Sequence, residues 1–141
     1  MIKIREAEQI ELGHLAEIYS AARVMAGCFS KPAADAQQLK RLVEGEEIFV
    51  AELDGEVVGF VSVWVADNFI RHLYVAPAAQ GKGVGSRLLQ FCTREYGHPL
   101  SLKCEAQNVQ AQRFYRNKGW FDREIGEGDD GVWERLYSKN A

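Results

Sequence analysis

The stretch from Phe69 to Tyr96 constrains this chain more than any other. Phe69-Ile70-Arg71-His72-Leu73-Tyr74-Val75 is rich in β-branched and aromatic residues and stops at Ala76-Pro77, which predicts a strand. Gln80-Gly81-Lys82-Gly83-Val84-Gly85-Ser86 is a glycine-rich turn. The helix that follows runs to about Tyr96 and carries Val84, Leu88, Leu89 and Cys92 on its buried side. The glycines alternate as GxGxG, which is neither the GxGxxG of a dinucleotide fingerprint nor the GxxxxGK[ST] of a phosphate loop, where Lys82 would need a different glycine spacing. The physics behind those patterns still applies. Unpaired N–H groups at a helix start carry partial positive charge, and glycines let a phosphate approach with no Cβ in the way. Two readings stand at this point. The amides of Gly81 to Ser86 cradle a pyrophosphate, with Lys82 free to meet a further phosphate, or the segment is a flexible turn that only needs positive φ.

Periodicity supplies the surroundings. Lys3-Ile4-Arg5 alternates as a short first strand. From Gln9 to Met25 the apolar residues Ile10, Leu15, Ile18, Ala22 and Met25 form one helical stripe, and Asp35 to Val43 offers a second helix through Leu39, Leu42 and Val43. Glu47 to Leu53 and Val57 to Trp64 flank Asp54-Gly55, a strong hairpin signal because this pair readily adopts positive φ. Pro99 opens a strand from Leu100 to Ala106. Asn108 to Lys118 is helical, with Ala111, Phe114 and Tyr115 on one face and Gly119 as its natural stop. Trp120 to Ile125 and Val132 to Tyr137 are two last strands around a loop from Gly126 to Gly131. The order β-α-α-β-β-β-α-β-α-β-β is α+β, built on one central sheet.

Length and charge narrow the function. At 141 residues the chain fits a single domain, 1–141, by the usual roughly 100–200 residues per domain. Lys plus Arg number 17 against 20 for Asp plus Glu, a net charge of −3, which argues against a nucleic-acid or anionic-membrane surface. Cys28, Cys92 and Cys104 are odd in number and lack zinc-site spacing, so no metal is expected and a reduced, cytoplasmic setting is the simplest reading. The N-terminus is charged within three residues, and the apolar run around Val57 to Ala66 is too short to span a bilayer.

Two motifs in order resemble the GNAT superfamily of acyl-CoA-dependent N-acetyltransferases. Its Q/R-x-x-G-x-G/A signature is matched by Gln80 to Gly85. Its N-x-x-A-x-x-F-Y signature is matched by Asn108, Ala111, Phe114 and Tyr115, with Lys118-Gly119-Trp120 in place of the usual K/R-x-G-F. Leu73-Tyr74-Val75-Ala76-Pro77 is similar to the strand ending before the first signature. The likeness extends from about Ile4 to Tyr137 and is sharp from Phe69 to Trp120. It implies a mixed, mostly antiparallel central sheet flanked by helices, with splayed fourth and fifth strands. It also implies transfer of an acetyl group from the cosubstrate acetyl-CoA to a primary amine, by direct attack in a ternary complex. The runner-up is a non-catalytic acyl-CoA-binding regulatory module.

Carried over residue by residue, the resemblance implies that the backbone of Leu73, Tyr74 and Val75 holds the pantetheine arm and offers an amide to the thioester oxygen. Gln80, Gly81, Lys82, Gly83, Val84, Gly85 and Ser86 would hold the pyrophosphate. Asn108, with Ala111 and Tyr115, would contact the pantetheine side, although Asn108 also reads as a helix N-cap. Tyr115 would donate a hydrogen bond to the leaving sulfur, or serve as packing beside Phe114. The base is open between His72, Glu105 and a water relay, because the fourth strand carries no acid. Strand alternation puts His72 opposite Arg71 unless a bulge intervenes. The acceptor, a small-molecule or peptide amine, would lie near Tyr19, Arg23, Phe29 and the loop from Gly126 to Gly131. The three cysteines are not expected on the reaction path. The terminal strands offer edges that could pair two copies into a homodimer.

Overall fold

The computed structural model describes residues 1–139, so the last two residues of the domain expected over 1–141 lie outside the described residues. In chain order the elements are β1 (Ile2–Glu6), a 3₁₀ turn (Gln9–Glu11), α1 (Leu12–Ala26), α2 (Ala36–Leu42), β2 (Glu47–Leu53) and β3 (Glu56–Trp64). There follow β4 (Phe69–Val75), α3 (Val84–Tyr96), β5 (Ser101–Glu105), α4 (Val109–Asn117), β6 (Phe121–Gly128) and β7 (Gly131–Tyr137). All seven strands share one sheet in the order β1-β2-β3-β4-β5-β7-β6. Every pairing is antiparallel except β4 with β5.

Period-2 alternation sorts the sheet residues between two cores. On one face Phe49, Ala51, Val61, Val63, Leu102 and Leu136 pack under Leu88, Leu89 and Cys92 of α3 and Tyr115 of α4. On the other, Val50 and Phe60 pack under Leu15, Ile18 and Tyr19 of α1 and Leu39 of α2. Leu15, Leu39, Phe60 and Leu88 are fully buried, each contributing about 1.5–3 kcal/mol relative to exposure. Asp35 caps α2 by accepting from Gln38 N at 2.8 Å.

Three expectations need correcting. The helix expected from Gln9 begins as a 3₁₀ turn in which Ile10 is 89% exposed, and α1 proper starts at Leu12. Met25, at the far end of that stripe, is half-exposed, and Leu42 of α2 is also exposed. The loop expected from Gly126 to Gly131 is mostly strand: Gly126 pairs with Trp133 and Gly128 with Gly131, leaving Asp129-Asp130 as the turn. A glycine-rich stretch reads locally as loop, but Gly126 pairs here because it lacks the Cβ that would collide with the Trp133 ring. Among the described residues no helix is long and apolar enough to cross a membrane.

Candidate active site

β4 and β5 are bonded only at Phe69–Ser101 and Ile70–Leu102. Beyond that apex they part. Leu73, Tyr74 and Val75 stay paired with Val61, Phe60 and Gly59 of β3, while Lys103, Cys104 and Glu105 stay paired with Arg135, Glu134 and Trp133 of β7. The facing edges of the two strands therefore have no strand partner, and such an edge can accept an extended ligand as an added strand would be accepted. The divergence coincides with a bulge. The β3–β4 register passes from Val63–Ile70 to Ser62–His72, which leaves Arg71 as the extra residue.

A cavity of about 400 Å³ opens from this V. Leu73, Tyr74 and Val75 form one wall, and Asn108, Ala111, Phe114 and Tyr115 form another. Gln80, Gly81, Gly83, Val84, Gly85 and Ser86 close its end. Gly81 and Gly83 sit at φ +80° and +85°, left-handed values that favour glycine. The first bond of α3 runs from Arg87 N to Gly83 O at 3.1 Å, so the amides of Val84, Gly85 and Ser86 precede the helical ladder. A Cβ on Gly85 would meet the Phe114 ring at 3.2 Å, so this glycine also permits close approach of α3 and α4. Residues that fit a pyrophosphate are thus present: amides at a helix start ahead of the helical ladder, beside Gly81 and Gly83 where a Cβ would meet open space.

The site residues read from the sequence divide accordingly. Gln80 braces the turn by donating from Nε2 to Val75 O at 3.0 Å. Lys82 does not line the cavity, and its charge acts on Asp54 of the β2–β3 turn. Asn108 is the N-cap of α4, accepting from Ala111 N at 3.3 Å, and it lines the cavity as well. Tyr115 is buried, its ring 5.1 Å from that of Phe114 and 5.7 Å from that of Trp120. Its hydroxyl makes no hydrogen bond to any described residue, and burial pushes the phenol well above its ordinary value.

His72 and Glu105 lie outside the cavity lining, on opposite arms of the V. His72 is packed edge-on to Tyr19 of α1 at 5.9 Å, and its Nδ1 is 2.8 Å from Ser62 Oγ. Burial pushes the Glu105 carboxyl up, with Arg23 pulling the other way. Arg23 stacks 3.8 Å from the Phe29 ring and 4.7 Å from that of Tyr19, and donates to Tyr74 Oη at 2.9 Å. Asp130 accepts from Ser30 N at 2.7 Å and from Ser30 Oγ at 2.9 Å, which ties the α1–α2 connection to the β6–β7 turn. Burial raises Cys92 and Cys104 to about 12, and it raises Cys28 too, so none is a ready thiolate nucleophile.

Sequence reasoning missed Glu46 and Ser62. Glu46 sits in the run Glu44-Gly45-Glu46-Glu47, which reads as a solvated acidic turn, yet its side chain is 1% exposed beside His72. Ser62 reads as a polar interruption of a strand, yet it is fully buried.

The family model described as the acetyltransferase (GNAT) family matches residues 14–120. The peptidyl-lysine N-acetyltransferase YiaC of Escherichia coli is 31% identical over 121 residues, covering 83% of this chain and 82% of that protein. The GCN5-related N-acetyltransferase structure from Rhodopseudomonas palustris superposes with a TM-score of 0.83 at 20% identity, over 98% of this chain and 95% of that one. The yncA structure from Salmonella typhimurium, which holds its cofactor acetyl-CoA, gives 0.70 at 23% identity over 96% and 92%. A splayed β4–β5 pair, a glycine turn with free helix-start amides and a match across most of the chain agree: this protein belongs to the acetyltransferase (GNAT) family and is an acetyl-CoA-dependent N-acetyltransferase.

Proposed function

We propose that one domain, spanning the whole chain, acetylates a primary amine by direct attack on acetyl-CoA. The observation that carries this reading is the pair of unpartnered strand edges opening onto the amides of Val84 to Ser86. The pantetheine lies along Leu73 to Val75, and the pyrophosphate sits on the turn from Gly81 to Ser86. A free amide of β4 donates to the thioester oxygen as negative charge develops there, a contribution of about 3–4 kcal/mol to the transition state. A base removes a proton from the acceptor ammonium and the amine nitrogen attacks the carbonyl carbon. The tetrahedral intermediate collapses as the C–S bond breaks, the nitrogen gives its second proton through water to the departing thiolate, and Tyr115 donates a hydrogen bond to that sulfur.

His72 and Glu105 face the acceptor side, His72 against Tyr19 and Glu105 in the field of Arg23 and Asp130. Tyr115 belongs to the core under α3 and α4 on the opposite face. Base and leaving-group donor are thus separate groups on opposite faces of the sheet, one serving the attacking nitrogen and the other the departing sulfur. The acceptor enters between Tyr19, Arg23 and Phe29 and the Asp129-Asp130 turn. A lysine side chain is one candidate, in keeping with the peptidyl-lysine activity in the name of the YiaC relative. The cysteines are unpaired, in keeping with a cytoplasmic setting. The test is free-thiol release from acetyl-CoA with a panel of lysine peptides, amino acids and polyamines. Turnover with one class supports the reading, and tight acetyl-CoA binding without turnover on any amine overturns it. His72→Ala and Glu105→Gln, assayed across pH, then assign the base.

A further inference from the structure

The described residues contain one buried side-chain oxygen with no hydrogen-bond partner, Glu46 Oε1. Buried polar atoms are almost always paired, and a carboxylate held from water without a donor is a costly exception. Ser62 pairs with Ile48 on one side and His72 on the other, so three strands bring these positions into one row on the face covered by α1 and α2. Glu46, two residues before Ile48, falls on that same face. The bulge at Arg71 turns both Arg71 and His72 toward the carboxylate. Arg71 Nη1 is 3.8 Å from Oε2 and His72 Nδ1 is 3.7 Å from Oε1. Arg71 is half-exposed and offsets the charge from the rim, whereas His72 is 9% exposed and faces Oε1 from within.

We infer that Glu46 is the positioning residue that makes His72 the proton acceptor, an inference that rests on the proposed role of His72 as base. The carboxylate favours a proton on Nδ1, where it meets Ser62 Oγ at 2.8 Å, over a lone pair on that atom. That leaves the Nε2 lone pair to take the acceptor's proton, since the bond made by one ring nitrogen decides the state of the other. When the ammonium N–H bond breaks and the proton moves to Nε2, the imidazolium forms beside a carboxylate already in place, with no water to reorganise. The groups facing His72 are Glu46 before β2, Ser62 on β3, Arg71 and Tyr74 on β4, and Tyr19 on α1. Glu46 is the one carboxylate among them.

The tautomer of His72 is read from the ring ¹⁵N shifts by NMR of the full chain labelled with ¹⁵N-histidine, its signals assigned by their loss in His72→Ala. The neutral ring carries its proton on Nδ1 in the parent, and in Glu46→Gln the form protonated on Nε2 appears beside it. Glu46→Asp, which keeps the charge one methylene further back, changes less, and thermal melts confirm that both variants are folded. An unchanged tautomer in folded Glu46→Gln overturns the inference and leaves His72 free to be the base. Thiol release with the best amine of the panel supplies the second arm. Glu46→Gln lowers kcat roughly tenfold with the acetyl-CoA KM unchanged, a part of the about 10²–10⁴-fold a positioned base contributes. In the His72→Ala background Glu46→Gln costs nothing further. Additive losses overturn the positioning role, and an unchanged kcat in His72→Ala overturns the reading of His72 as base on which it rests.

Discussion

Replacing Tyr115 by Phe deletes one oxygen from a buried ring, and the surroundings of that oxygen fix what its loss should do. The hydroxyl is donated to no described residue, so it has no protein bond to give up before turning to the leaving sulfur. Its phenol is raised by burial, with the Cys104 field adding to it, so it stays protonated across the working range and donates rather than transfers outright. A hydrogen bond to a charged atom in such a site is worth about 1.5–3 kcal/mol, which corresponds to roughly 10- to 150-fold in kcat. The acetyl-CoA KM should stay within about twofold, because the interaction grows only as charge develops on sulfur. Stability should be unchanged or slightly raised, since the deleted group made no hydrogen bond to any described residue. The assay is steady-state thiol release at saturating amine beside a thermal melt of the same preparation. An unchanged kcat would refute the reasoning, as would a kcat loss accompanied by an equal loss of stability, which would mark Tyr115 as a packing residue.

Gly83→Ala places a side chain at φ +85° and should cost about 1–2 kcal/mol in chemical denaturation while raising the acetyl-CoA KM, because the strain is relieved only by moving the amides of the turn. An unaltered KM would show that the turn does not hold the cosubstrate. Gly126→Ala would drive a methyl into the Trp133 ring, which lies 4.2 Å from Lys103 Nζ, so it should cost about 1–3 kcal/mol and change the tryptophan emission. Glu105 has a folded-state carboxyl raised by burial, so the folded chain holds this proton more tightly than the unfolded chain. Its contribution favours folding at acid pH and is lost as pH rises through the raised value. Glu105→Gln should therefore raise the melting temperature relative to the parent at pH 7 and lose that advantage near pH 4. A difference that stays flat with pH would remove the case for a strained carboxylate there.

The local signals were legible in the residues themselves. Asp54-Gly55 marks the β2–β3 hairpin, and the alternating glycines mark a strand-to-helix turn whose left-handed positions fall at Gly81 and Gly83. Asn108 marks the start of α4, and the apolar period placed Leu88, Leu89 and Cys92 in the core. These features depend on the φ preferences and side-chain periods of neighbouring residues, which a linear reading captures. The site needed more. That the fourth and fifth strands splay came from the family resemblance, whereas their parallel pairing over two residue pairs is seen only in the sheet itself. Which strand lies next to which is a property of the whole sheet, so alternation could place His72 on a face but could not foresee the bulge at Arg71. Nor could an acidic turn announce that Glu46 would be buried beside a histidine 26 positions away. Ser30 and Asp130, 100 residues apart, meet only because α1 and the β6–β7 hairpin approach the same end of the sheet. The sequence by itself determined the elements, the glycine turn ahead of α3 and the place of Tyr115 on α4, because each is encoded within a few residues. Only the tertiary structure decided what surrounds His72, because that environment is assembled from two strands, a helix and a turn by packing that no local pattern specifies.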